Sequence, residues 1–205
     1  EQAVYPARQG RTMSQGIRAF MLESKAELGP LDVPLTADVF GITTSAFRDV
    51  GIGQLWEDMA DVMDVLLPMV YPSHYPRGTW GYPVPNAAPY QIVRKALNHG
   101  VERSRDIESA ATIRPWLQAF SLGQPDYTPQ YIRAQLDAVY DAGLTEWILW
   151  HPGARYTDEP LATEQGWEPW FAGRGASLYT PPEAEPEPRE DSVPIGVAVD
   201  SAGAR

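Results

Sequence analysis

Residues 64–75 read DVLLPMVYPSHY, and the first seven of these set the fold class. An apolar run this short, closed by a Pro-containing polar stretch, has the length of a strand and too few polar residues for a solvated face. Strands buried on both faces belong to parallel sheets covered by helices. Three further runs share the character: VPLTADVF at 33–40, TIRPWLQAF at 112–120 and EWILW at 146–150.

Helical patterns separate them. A helix is expected over 12–28, where Met13, Ile17, Phe20 and Met21 recur at helical spacing before Gly29 and Pro30. A second falls near 54–63, with Leu55, Met59 and Val62 on one face. Pro89 suits the first position of a third, whose face carries Ile92, Val93, Ala96, Leu97 and Val101. The fourth has Thr128 to cap it, Pro129 to open it, Ile132, Leu136 and Val139 as its stripe, and Gly143 to close it. Residues 1–179 therefore read as four βα units of an α/β fold, either part of a TIM-type (β/α)8 barrel or a doubly wound sheet. No Gly-rich nucleotide fingerprint follows any strand, which favours the barrel and implies no cofactor. Four strands are half of what an eight-stranded barrel needs.

Residues 180–191, TPPEAEPEPRED, carry five acids, one base and no large apolar side chain. Such a composition cannot offset its ordering entropy, so 180–205 is expected to be an acidic, disordered tail or linker. The short run Val193–Val199 is assigned no structure. The whole chain has a formal charge of -11, which repels phosphate backbones and anionic lipid headgroups and makes nucleic acid a poor partner. No apolar run reaches the roughly 18 residues of a membrane span. With no Cys there is no thiolate chemistry, and composition leaves the compartment open.

Barrel enzymes place their chemistry at the C-terminal ends of strands and in the loops beyond. There the sequence sets Asp38 in ADVFG, Tyr71, His74 and Tyr75 in YPSHY, Arg114, Trp116 and Gln118 in RPWLQ, and Trp150 with His151. Aromatic rings that stack on sugar C–H faces, joined by fixed polar groups, are the mixture a carbohydrate pocket requires. Asp38 is the candidate catalytic carboxylate, because a charge in an apolar strand is costly unless paired or used; an ion pair is the competing reading. His74 is the second catalytic candidate, able to hydrogen-bond a hydroxyl or move a proton, against a purely structural role. Tyr71, Tyr75, Arg114, Trp116, Gln118 and Trp150 are the substrate-binding candidates. Arg114 would clamp a substrate oxygen or pair with a carboxylate such as Asp38. Trp116 and Trp150 would floor a sugar or fill a barrel layer. His74 and His151 lack a third ligand at suitable spacing, so no metal is expected. Glu57 and Asp58 read as a solvated first helical turn, and QGWEPW at 165–170 as a cover for the barrel end.

The blocks PMVYPSHY (68–75), Pro89–Tyr90, IRPWLQAF (113–120), RAQLDA (133–138) and EWILW (146–150), with ADVFG (37–41) upstream, resemble a bacterial family of glycoside-hydrolase-like barrel domains over residues 8–156. The resemblance implies a TIM-type barrel, activity on polysaccharides and a place outside the cytoplasm. The family pattern also has an earlier strand ending in an Asp-Tyr-x-Arg-Phe-Pro type motif, which would supply a catalytic acid. That motif is absent, so the resemblance implies the later half of a barrel, partnered by an upstream half. Two function classes follow: a glycoside hydrolase incomplete as a catalyst in this chain, or a non-catalytic carbohydrate-binding or cell-envelope scaffold domain.

Overall fold

A computed structural model describes residues 10–108 and 110–161. The expected acidic tail at 180–205, the run Val193–Val199 and the stretch 165–170 lie outside the described residues. Within them, helices and strands alternate as α1 (Met13–Leu28), β1 (Thr36–Phe40), α2 (Trp56–Ala60), β2 (Val65–Met69), α3 (Pro89–Ser104), β3 (Thr112–Ile113), β4 (Trp116–Gln118), α4 (Pro129–Asp141) and β5 (Ile148–Trp150). All pairings are parallel, and the sheet runs β1-β2-β4-β5 with β3 also on β2. Strands therefore neighbour one another in chain order. A doubly wound sheet reverses direction at a switch point, whereas successive barrel units do not, so this is the order of part of a barrel.

The expected strand 112–120 is split at Arg114 and Pro115. Leu66 pairs with Ile113 and Met69 with Trp116, a constant offset that sets Pro68 opposite Pro115. Neither proline has an N–H, so the ladder is interrupted where the two meet. The carbonyl of Pro115 still accepts from Ile148 N at 2.9 Å and holds β5 in place.

Local chemistry explains most boundaries. Thr12 and Gln15 form a reciprocal capping box at the start of α1, the hydroxyl of Thr12 accepting from Gln15 N and the amide oxygen of Gln15 from Thr12 N. The α-helix ends at Leu28 with Gly29 as its cap, as expected; a separate 3-10 turn carries the chain on to Leu31, and Asp32, in the left-handed region at φ 53°, closes that turn. Only Met21 of the apolar stripe of α1 is buried, and Phe20 stays 69% exposed. Prolines open α3 and α4 at their first positions. The hydroxyl of Thr128 does not cap α4; its carbonyl accepts from Tyr131 N and Ile132 N instead. Gly143, at φ 81°, ends the segment.

The core lies between the sheet and its helices, where Trp56, Leu66, Ile92, Leu97, Leu117 and Leu136 are fully buried. Each such side chain contributes about 1.5 to 3 kcal/mol of apolar burial. Burial on both faces holds for the inner strands, along β2 and at Leu117 and Gln118 of β4. Thr36, Asp38 and Phe40 of β1 and Trp150 of β5 remain exposed, because no described element covers the inner face of the edge strands.

Arg103 of α3 fixes the loop after β1. Its Nη1 donates to the carbonyls of Thr43, Thr44 and Ala46, while Nε and Nη2 grip Glu57 at 2.6 and 2.5 Å. Glu57 is an exposed acid of the first turn of α2, as expected, and is ion-paired as well. Burial raises its carboxyl, but the hydrogen bonds from Arg103 and its own backbone N–H, with the charge of Arg103, outweigh that and hold it below the usual range. Gly41 lies in the same loop, where an added Cβ would collide with the Met69 carbonyl and meet the Tyr75 hydroxyl at 2.8 Å. A glycine there lets the chain leave β1 tight against β2.

Candidate functional site

Parallel strands of one direction bring their C-terminal ends to one edge, and the candidate residues gather there. Along the sheet, Asp38 shares a register row with Leu67, and Phe40 shares the next with Met69, Trp116 and Ile148. Gln118 and Trp150 form the row above. Side chains alternate across a strand, so Asp38, Phe40, Trp116 and Trp150 all face away from the helices. Exposure follows: Val39 is fully buried against the helices while Asp38 on its neighbour's opposite side is exposed.

The centre of the site is a contact between first and third units. The indole Nε1 of Trp116 reaches past β2 and donates to Asp38 Oδ1 at 2.7 Å. Oδ2 receives no hydrogen bond from any described residue. Trp150 sets its edge against Trp116 at 5.8 Å and is itself 43% exposed. A carboxylate with one oxygen anchored and one free, beside two partly exposed tryptophans, is an arrangement for contact with a polar ligand that has apolar faces.

Across the mouth, Tyr71 and His74 pack edge-on at 5.3 Å, and Phe120 completes the group at 5.6 Å from Tyr71 and 6.2 Å from His74. Burial first, then the negative charge of Asp38 and the neighbouring Tyr156, pushes the Tyr71 hydroxyl above the ordinary phenol range, so it remains a protonated donor. Burial lowers the His74 imidazole, which favours its neutral form near pH 7, with Nδ1 3.0 Å from Ser73 Oγ.

Two candidates are corrected, and a third, Arg114, takes its ion-pair reading. Gln118 is fully buried and serves as a junction: its amide oxygen accepts from Ser73 N, its amide nitrogen donates to the Phe120 carbonyl and to Asn86 Oδ1, and Gln135 of α4 brackets its backbone. It positions the loops carrying His74 and Phe120 and has no surface to offer a ligand. Tyr75 is 7% exposed, its ring tilted against Trp80 at 5.4 Å and its hydroxyl sealed. Arg114 pairs at 2.8 Å with Glu146, which precedes β5, and not with Asp38.

The same edge holds residues that the strand-end rule passed over. Phe120 lies two positions past β4, and Tyr156 lies beyond β5, where its hydroxyl accepts from His151 N. Their aromatic character was the available signal; their positions come from loop paths. At the opposite end of the sheet the carboxylate of Asp64 is fully engaged, with Oδ2 accepting from Leu35 N at 2.8 Å and Oδ1 from Lys25 at 3.0 Å. Among the described residues no group of three or more His, Asp or Glu is arranged to hold a metal ion, and no helix is long and apolar enough to cross a membrane.

The profile of a family described as "Putative glycosyl hydrolase domain" matches residues 1–156. Among solved structures, the chain is similar to an active-site mutant of Rhizomucor miehei beta-1,3-glucanosyltransferase in complex with laminaritriose, at 9% identity and a TM-score of 0.40. That match covers 69% of this chain and 48% of the other, so this chain spans about half the length of that structure. No match was found among curated proteins.

Proposed function

Because the chain belongs to the family described as "Putative glycosyl hydrolase domain", we propose that it is the carbohydrate-active part of a polysaccharide-processing barrel, with Asp38 as one of two reacting carboxyl groups. The observation that carries this reading is the anchoring of Asp38 by the Trp116 indole at 2.7 Å, with Trp150 alongside. Glycosidic cleavage requires one carboxyl group to protonate the leaving oxygen and a second to act as base or nucleophile, about 5 to 9.5 Å away. The rings of Trp116 and Trp150 would floor the sugar, the Tyr71 hydroxyl would donate to a sugar oxygen, and neutral His74 would accept a hydroxyl proton in a hydrogen bond.

The second carboxyl group is assigned to a strand outside this sheet. The inner face of β1 is open, and a further parallel strand beside it would bring a new side chain opposite Asp38. That strand belongs to an upstream half of the barrel. Without it the chain would retain the aromatic floor and bind glycan without cutting it, which is the scaffold reading.

The test uses the intact parent protein and its Asp38→Asn form against a panel of cell-wall and storage polysaccharides, scoring reducing ends and retention in affinity gels. Hydrolysis by the native protein, lost with retained binding in the variant, is the expected result. Binding without any release of reducing ends would establish the scaffold reading instead. A protein that neither binds nor cleaves any of the panel would overturn both.

A further inference from the structure

A second cleft, of about 220 Å³, opens beyond the ends of β4 and β5, between the start of α4 and residues 151–157. It adjoins the Asp38 site through two shared rings. Phe120 meets Tyr71 and His74 on one side and lines the cleft on the other, and Tyr156, also in its wall, is close enough to raise the Tyr71 hydroxyl. The volume lies below the roughly 300 Å³ at which pockets for drug-sized ligands begin, and so suits a single ring.

The lining is biased toward donors. Among the described residues it contains no Asp or Glu, although the chain has 27 acids against 16 bases. Arg155 brings a positive charge and forms no ion pair with any described residue. His151 Nδ1 accepts from Gly153 N at 2.9 Å, which leaves the proton of the neutral ring on Nε2. Ser121 Oγ accepts from Tyr127 N at 2.9 Å and keeps its own O–H to give. Gly153 permits the packing: an added Cβ would stand 3.2 Å from Arg155 Nε and 3.3 Å from the His151 ring.

From this we propose that the cleft is a subsite for one sugar unit bearing a carboxylate, a uronic acid next to the unit held over Asp38. Arg155 meets the carboxylate, His151 and Ser121 donate to ring hydroxyls or to its second oxygen, and Phe120 and Tyr156 supply apolar walls. The assignment rests on the reading of the Asp38 site as a glycan site, but it is tested separately from it.

The full chain, labelled with nitrogen-15, is titrated with D-glucuronate, D-glucose and inorganic sulfate while the amide signals of Ser121, His151 and Gly153 are followed. Glucuronate is expected to shift them saturably, with glucose and sulfate each at least about tenfold weaker, the scale of one charge-assisted contact or one ring's worth of packing. Arg155→Gln should weaken glucuronate about tenfold while keeping the native spread of signals, and Gly153→Ala should weaken it by displacing Arg155 and His151. Trp116→Ala, outside the cleft, should leave glucuronate binding unchanged even if it abolishes binding of neutral oligosaccharides. Equal affinity for glucose and glucuronate, equal affinity for sulfate and glucuronate, or indifference to Arg155→Gln would each overturn the proposal.

Discussion

Asp64 and Asp38 are carboxylates on the same pair of strands, the first at their N-terminal end and the second midway along β1, and their surroundings differ in kind. Asp64, just before β2, has both oxygens engaged by a backbone N–H and a lysine, which ties β1, β2 and α1 together. Asp38 has one oxygen held by an indole and one open to solvent, with aromatic rings around it. One is satisfied by its own fold; the other is incompletely satisfied and accessible. Barrels divide labour this way, with stability at the N-terminal end of the strands and chemistry at the C-terminal end.

The contrast is most exposed to failure at Asp38. In the intact parent, Asp38→Asn should reduce hydrolysis by about 10²- to 10⁴-fold, as expected on losing a positioned proton-transfer or nucleophilic group. Its melting temperature should stay within the small range of surface substitutions. A large loss of stability would make Asp38 a structural residue like Asp64. Next comes the junction beneath the site: Gln118→Leu should cost about 1 to 3 kcal/mol in denaturant melts, since it leaves Ser73 N and Asn86 short of buried partners. A neutral effect would return Gln118 to the ligand-contact role. Trp116→Ala should weaken oligosaccharide binding by about 1 to 3 kcal/mol in calorimetry, the scale of one large ring; unchanged binding would confine Trp116 to packing.

At the other end, Asp64→Asn should lower stability by less than about 1 kcal/mol, because the pair with Lys25 is half exposed and screened, and should leave binding intact. Acid titration sharpens the point. The Asp64 carboxyl is held low first by the Leu35 N–H and then by Lys25, so the stability it lends is complete above the unfolded carboxylate value of about 3.9 and is lost as pH falls through its lower folded value. His74 is lowered by burial, so folding favours its neutral form, and a separate loss should begin as pH drops below about 6.5. A His74→Gln variant should lack the upper step and keep the lower one. Melts that lose both steps together would mean that His74 and the Asp64 end are coupled.

Much of this division was readable in the chain. Pro89 and Pro129 mark helix starts and Gly143 a helix end because capping chemistry is local. The four strand runs and the placement of Asp38, Trp116 and Trp150 at one edge follow from side-chain period and parallel order. Depth was not readable. Gln118 and Tyr75 look like surface residues until Gln135 and Trp80, from other elements, close over them. The engagement of Glu57 by Arg103 spans 46 positions of sequence, and no spacing rule reaches that far. The stripe of α1 was legible as a pattern, but what would cover Phe20 was not.

The facing prolines Pro68 and Pro115 bear on how the chain behaves when it is not fully folded. Segments that seed fibrils are apolar, β-prone and free of proline, because each strand must hydrogen-bond along its whole length to identical copies above and below. VLLPM would meet that description but for its proline, and TIRPWLQ carries one at its middle. During synthesis or partial unfolding these most apolar strands are therefore poor templates for stacking. Replacing either proline by valine would be expected to raise thioflavin-positive fibril formation under mild acid, a cost that the native structure alone would never reveal.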